Sequence, residues 1–286
     1  MVSFAIPSQS DRVVLITGAN TGIGLVAARE LTRAGARVFI ACRSEAKAKQ
    51  AIDIIAQATG KQVENIPLDL GDLASVRSAA AAFLARDLPL HVLINNAGLA
   101  GQRGLTKDGF ELTFGTNHLG HFLLTGLLWP RIKQSGPARI VTVASRAHER
   151  VRSIAFDAQR SPTQSTTGVP EYGVSKLANV LFSAELARRA QGSNVTTYAL
   201  HPGVVATDVW RHVPGIARGL IKLFMISPEE GALTTLHCAT ATAAASETGL
   251  YYDKSRVKQA SELAQDRALA HRLWEQSEAW TGLRWP

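Results

Sequence analysis

Tyr172 and Lys176 stand four residues apart in a stretch with helical spacing, Glu171–Gln191, so the phenol and the ammonium share one helix face. A phenol with a pKa of about 10 is a weak acid and a weak base at neutral pH. An ammonium nearby favours the phenolate and lowers that value, which would make the tyrosine a usable proton shuttle. By itself the pair is commonplace, and on spacing alone a purely structural helix face explains it better. Two further polar residues accompany it. Ser145 ends the β-branched run Val141–Ser145, and Asn117 lies in the helical stretch before that run.

A second cluster lies near the N-terminus. The apolar run Val13–Ile16 passes directly into Thr17-Gly18-Ala19-Asn20-Thr21-Gly22-Ile23-Gly24 and then into a helical pattern, Leu25–Ala34. Glycines between a strand and a helix let the backbone approach a pyrophosphate and aim N–H groups at it. Their spacing, Gly-x-x-x-Gly-x-Gly, differs from the commoner dinucleotide fingerprint. The second strand runs into Ala41-Cys42-Arg43, where a protein that prefers NAD usually carries an acid for the ribose 2′-hydroxyl. A guanidinium at Arg43 would welcome a 2′-phosphate instead, and Lys47 could join the same positive patch. Asp69-Leu70 after the third strand and Asn95-Asn96-Ala97-Gly98 at the end of the fourth lie where such sheets bind ligands. Asp69 could meet an adenine amino group, although Asp69 or Asp72 could equally cap a helix.

These residues need elements to hold them, and the chain alternates accordingly. After the first unit come a strand at Arg37–Ala41, a helix at Ser44–Thr59, a strand at Val63–Leu68, a helix at Leu73–Arg86 and a strand at His91–Asn95. A long helical stretch, Gly109–Gln134, precedes a strand at Ala138–Ala144, the helix of Tyr172, and a strand at Asn194–Leu200. A helix around Pro228–Ala243 and a short strand near Leu250–Tyr252 complete the pattern. The alternation predicts an α/β fold with a doubly wound, mostly parallel sheet and helices on both faces, formed as a single domain.

The chain of 286 residues, 46% of them hydrophobic, is long enough for one sizeable core. Its 31 Lys and Arg against 23 Asp and Glu give +8, which favours an anionic partner. The basic residues are scattered without a basic run or aromatic-studded stripe, so a phosphate-bearing small molecule is expected rather than nucleic acid. Cys42 and Cys238 read as buried thiols. His118, His121 and His148 have no carboxylate or thiolate partners at ligand spacing, so no metal is expected, and His201 reads as a packing group. Met1–Asp11 lacks the regions of a signal peptide and no run of 18 apolar residues follows, so a soluble protein of the reducing cytoplasm is expected, with no integral membrane segment.

In order, Thr17-Gly18-x-x-x-Gly22-Ile23-Gly24, Asp69, Asn95-Asn96-Ala97-Gly98, Asn117, Ser145, Tyr172-x-x-x-Lys176 and Pro202-Gly203 resemble the short-chain dehydrogenase/reductase family over residues 12–255. The words Ala41-Cys42-Arg43, Thr116–Phe122, Ser145-Arg146-Ala147-His148 and Ser175–Asn179 look like its retinol dehydrogenase branch and relatives such as the protochlorophyllide reductases, which generally favour NADP(H). The resemblance implies hydride exchange between nicotinamide and a carbonyl or alcohol carbon. Tyr172 would give or take the proton on oxygen, Ser145 would orient that oxygen, Lys176 would hold the nicotinamide ribose and lower the tyrosine pKa, and Asn117 would hold a water. Pro202, Gly203 and Val204 would border the nicotinamide, with Val204 and Thr207 available to its carboxamide or to phosphate. Residues 12–205 would form the core, 206–230 a substrate cover over an apolar retinal-like, lipid-derived or xenobiotic carbonyl, and 270–286 a C-terminal tail.

Two other activities stay open at this level: reduction of a conjugated carbon–carbon double bond, and NADP(H) sensing without turnover. The stretch Arg150–Gly168 lengthens the gap between Ser145 and Tyr172 and would either wall the pocket or decorate the surface. Trp274, Trp280 and Trp285 could pack onto the body or onto a partner subunit in a homo-oligomer.

Overall fold

The computed structural model describes residues 5–203 and 226–285. Val204, Thr207 and most of the expected substrate cover therefore lie outside the described residues. Seven parallel strands, β1 (Val13–Thr17), β2 (Arg37–Cys42), β3 (Glu64–Pro67), β4 (Val92–Asn95), β5 (Ala138–Val143), β6 (Val195–His201) and β7 (Leu250–Asp253), join a short antiparallel β8 (Arg256–Val257) in one sheet. Its order is β3-β2-β1-β4-β5-β6-β7-β8. The chain crosses over between β1 and β4, which leaves a crevice at their carboxyl ends.

Strand alternation sorts the core. Val14 and Ile16 of β1, with Val38 and Ile40 of β2, pack beneath helices α1 (Gly22–Arg33), α2 (Glu45–Thr59) and α6 (Pro228–Thr240). Leu15, Phe39 and Leu93 face the other way, onto Val76 and Phe83 of α3 (Leu73–Leu84), Phe122 and Leu128 of α4 (Leu112–Gln134), and Phe182 and Leu186 of α5 (Val169–Arg189). Every β1 and β4 residue is buried, as a parallel sheet covered on both faces requires.

The long helix α4 is one body in three pieces, Leu112–Phe114, a π-helical turn at Gly115–Leu119 and Gly120–Gln134. It begins later than the expected Gly109, which has a left-handed φ of 76°. Glu111 caps the start by accepting the Phe114 N–H at 2.7 Å. The turn from β7 into β8 puts Lys254 and Ser255 at φ 52° and 59°, a geometry that usually signals itself by Asn or Gly, so this hairpin is invisible in the residue types.

The last segment is no loose tail. Helix α7 (Arg267–Thr281) is capped by Asp266, whose Oδ1 accepts the Leu269 N–H at 3.0 Å. Trp274 stacks on Phe182 with centroids 5.9 Å apart, and Trp285 meets Trp274 at 4.6 Å. Trp280 lies edge-on to Phe114 at 5.8 Å, so all three tryptophans pack onto the body. Room for Trp285 and Leu283 exists because α4 presents Gly126 to them, where a Cβ would stand 2.7 Å from Trp285 Cε2.

Gly126→Ala should therefore destabilise the fold by a net of about 1–2 kcal/mol in denaturant titration, because overpacking outweighs the helix propensity gained. The same change in a Trp285→Ala background should cost measurably less. Equal losses in both backgrounds would refute the packing argument.

Candidate active site

The crevice between β1 and β4 opens into a cavity of about 460 Å³. Two glycines set its floor. Gly18, at φ 65°, donates its N–H to the Ala41 carbonyl at 2.8 Å, and a Cβ on it would stand 2.8 Å from Ala97 Cα. A Cβ on Gly24 would stand 2.5 Å from Asn96 Nδ2 and 2.8 Å from the Gly18 carbonyl. Larger residues would thus force the ends of β1 and β4 apart. Thr17 ties the same seam, since its Oγ1 accepts the Asn96 and Ala97 N–H groups, each at 3.0 Å, and meets His121 Nε2 at 2.8 Å.

Of the residues expected to hold a cofactor, Gly18, Asn20, Thr21, Gly22, Ile23, Gly24, Arg43, Lys47, Asp69, Leu70, Ala97, Gly98, Tyr172, Lys176, Pro202 and Gly203 line this one cavity. Asn95 does not. It is fully buried on the α4 side of β4 and donates to Thr125 Oγ1 at 3.0 Å, while its neighbour Asn96 reaches the cavity and holds the Thr17 carbonyl at 2.8 Å. Alternation along β4 explains the difference, because Asn95 points to the same face as Leu93. Leu99, Gln102 and Thr116 also line the cavity; nothing in their residue types announces them.

At the nucleotide end, α1 starts from Thr21 in extended conformation with no side-chain cap and no acid in its first turn. Its N–H groups and dipole are left for an anion. Arg43 stands at the rim, 70% exposed, 3.8 Å from Asp69, and no carboxylate occupies the end of β2. Asp72 is the helix cap, accepting from the Ala74 and Ser75 N–H groups at 3.0 and 3.2 Å, and Asp69 remains at the cavity with Oδ1 accepting the Gly71 N–H. An uncapped helix start, close backbone approach and a cationic rim fit a phosphorylated dinucleotide.

At the other end, Lys176 donates from Nζ to the Val143 carbonyl at 2.8 Å and lies 5.6 Å from the centre of the Tyr172 ring. Burial draws its pKa down to about 8. Burial also pushes the Tyr172 phenol above its ordinary value, and a hydrogen bond with Ser145 pulls it partly back. Desolvation of the phenol thus sets the direction, opposite to the lowering expected from the lysine. Asn117 is not on the cavity wall. Its Oδ1 accepts the Leu99 N–H at 2.8 Å, and its Nδ2 donates to the Leu99 carbonyl and to Ser175 Oγ, both at 3.0 Å. Ser175 in turn donates to the Tyr172 carbonyl at 2.8 Å. Asn117 therefore braces the helix of Tyr172 against the Leu99 loop.

The stretch between Ser145 and Tyr172 backs the site without lining it. Thr163 donates to the buried Glu111 at 2.5 Å, and Ser165 donates through N–H and Oγ to Glu171 at 2.9 and 2.5 Å. Gly168 lies against the Gln102 carbonyl, where a Cβ would stand 2.9 Å away. The insertion so supports the loop that carries Leu99 and Gln102.

Among the described residues, no group of three or more His, Cys, Asp or Glu could hold a metal ion. His118 meets Ser277 Oγ at 3.0 Å inside an aromatic cluster, and His121 Nδ1 donates to the Asn117 carbonyl at 2.9 Å. Burial lowers His118 to about 3, and His121 and His201 to about 4. Unfolding lets these rings take up protons that the fold refuses, so their contribution is complete above about pH 6.5 and is lost as pH falls toward 4. The melting temperature should decline over that window, and His118→Asn should make the decline shallower. An unchanged slope would remove His118 from the account.

A family profile described as short chain dehydrogenase matches residues 12–214. Retinol dehydrogenase 12 of Homo sapiens is 46% identical over 278 residues, covering 96% of this chain and 87% of that protein. Retinol dehydrogenase 11 of Homo sapiens is 44% identical over 270 residues, covering 93% and 84%. The crystal structure of an uncharacterized protein from Mycobacterium paratuberculosis superimposes with a TM-score of 0.81 at 37% identity, covering 98% of this chain and 97% of that one. No described helix is long and apolar enough to cross a membrane. The chain belongs to the short-chain dehydrogenase/reductase family, in its retinol dehydrogenase branch, and is an oxidoreductase that works with a nicotinamide cofactor.

Proposed function

We propose that this enzyme uses NADP(H) to interconvert an apolar aldehyde or ketone and its alcohol, with Tyr172 as the proton donor and acceptor. The observation that carries the reading is one cavity with Arg43 and Lys47 at one end and Tyr172 and Lys176 at the other. The nicotinamide, when bound, supplies or receives the hydride. Everything else falls to the protein. Arg43 and Lys47 offer guanidinium and ammonium donors to a 2′-phosphate, with no carboxylate at the end of β2 to repel it.

In the reducing direction Ser145 donates a hydrogen bond to the substrate oxygen and Tyr172 passes its phenolic proton to the same atom. The phenolate left behind is stabilised by the Lys176 ammonium beside its ring, which is the form present below about pH 8. A raised phenol pKa makes Tyr172 a reluctant acid and keeps it protonated until substrate arrives. Asn117, through Ser175, holds the first turns of α5 in place while that proton moves.

Leu99, Val143, Ala144 and Pro202 line the cavity toward Tyr172, which supports an apolar substrate. The retinol dehydrogenases among the relatives support an alcohol or aldehyde in particular. The presence of Ser145, Tyr172 and Lys176 together favours turnover over mere cofactor sensing.

Titration should show NADPH binding at least about ten-fold tighter than NADH, and Arg43→Ala should narrow that gap. Equal affinities for the native chain would sink the 2′-phosphate argument. On a panel of all-trans-retinal, long-chain aldehydes and aromatic ketones, followed by NADPH absorbance, Tyr172→Phe should remove turnover while leaving NADPH affinity within about two-fold. Appreciable turnover by that variant would take the proton from Tyr172.

A further inference from the structure

His148 lies three residues beyond Ser145, in the 3-10 turn Arg146–Arg150, and is completely buried. Neither it nor Ser145 is part of the cavity wall, yet two of its donors end on one backbone atom of Ser145, whose side chain is hydrogen-bonded to Tyr172 at that wall. The His148 backbone N–H donates to the Ser145 carbonyl oxygen at 3.2 Å, and ring Nδ1 donates to the same oxygen at 2.6 Å. A carbonyl oxygen has two lone pairs, so one residue occupies both.

The ring has one tautomer consistent with these contacts. A carbonyl only accepts, so the proton is on Nδ1, and Nε2 is left to accept the Ser261 N–H at 3.4 Å. Tyr251 holds the ring from the side, nearly edge-on at 69° with centroids 4.9 Å apart. Burial keeps the imidazole pKa below its ordinary value, which agrees with a neutral ring. Across the same turn, Ser145 Oγ accepts the Ala147 N–H at 3.2 Å, so its own hydrogen is available to be donated. Turning the Ser145 peptide to aim Oγ elsewhere would break both His148 bonds and strand a carbonyl among buried groups.

We propose that His148 is a positioning residue for the reaction, fixing the Ser145 peptide so that Oγ faces Tyr172 and the substrate oxygen. The inference rests on Ser145 being the hydrogen-bond donor to substrate, as argued above. A purely structural role would require only that the turn be filled and stable; a positioning role requires a donor at the ring Nδ1 position.

Three substitutions separate these roles. His148→Asn keeps a donor near Nδ1, His148→Gln moves its amide toward the Nε2 position, and His148→Leu has no donor. On the fastest carbonyl of the panel, His148→Asn should keep kcat within about three-fold, while His148→Gln and His148→Leu should lose at least about ten-fold in kcat with KM and NADPH affinity nearly unchanged. Equal losses in all three that track melting temperature, or native kcat in His148→Leu, would overturn the proposal. A double-mutant cycle adds a second arm: in a Ser145→Ala background, His148→Leu should lower kcat no further, and an additive loss would overturn it. Full kcat in Ser145→Ala alone would instead remove Ser145 from its role. Without any substrate, nitrogen-15 NMR of labelled histidine should find His148 as the neutral Nδ1–H tautomer at pH 7, and the Nε2–H form would contradict the clamp.

Discussion

An ammonium buried with no carboxylate in ion-pair distance among the described residues is the constraint around which the reaction end of this protein is built. Lys176 donates to the Val143 carbonyl, and among the described residues no acid neutralises it. Burying an unpaired charge costs several kcal/mol in most settings, so the surrounding structure must hold it there. Helix α5 crosses β5 at this point, Asn179 adds a second donor to the same carbonyl at 3.3 Å, and Gly98 leaves the space beside Nζ clear. The arrangement trades stability for a positive charge in a low-dielectric site, where it acts on a neighbouring phenol far more strongly than it would in water.

The seam between β1 and β4 solves a different problem, that of bringing two strand ends close enough to share a ligand. Thr17 Oγ1 accepts two backbone N–H groups from β4's exit loop and gives its own hydrogen to a neutral His121, whose other nitrogen donates to the Asn117 carbonyl. One chain of hydrogen bonds thus runs from the glycine turn to the π-helical turn of α4. Extra turns of this kind inside α-helices commonly fall at functional sites, because they free a carbonyl for a side chain to use.

Much of this was legible in residue types because parallel strands buried on both faces leave unmistakable apolar runs, and each is followed here by a periodic helix. The glycines, Arg43, Ser145, Tyr172 and Lys176 could be found by their place at strand ends and on one helix face. Where residue types mislead, the cause is local. Asn95 and Asn96 differ only in which side of β4 they face, and strand registry, not composition, decides that. Lys254 and Ser255 make a hairpin that their side chains do not advertise. Helix α7 is amphipathic, but its apolar face makes sense only against Phe182 and Phe114, which are distant in sequence. The phenol of Tyr172 is raised, not lowered, because burial depends on neighbours that spacing cannot reveal.

The two cysteines sit on the same side of the sheet, Cys42 at the end of β2 and Cys238 in α6. Burial pushes the Cys42 thiol up to about 11 and raises Cys238 as well, which leaves almost no thiolate to react at neutral pH. For anyone who wishes to watch this enzyme move, the background is therefore dark. A fluorophore or spin label attached through a single engineered surface cysteine will report from that position alone, with both native sulfurs left in place as part of the core.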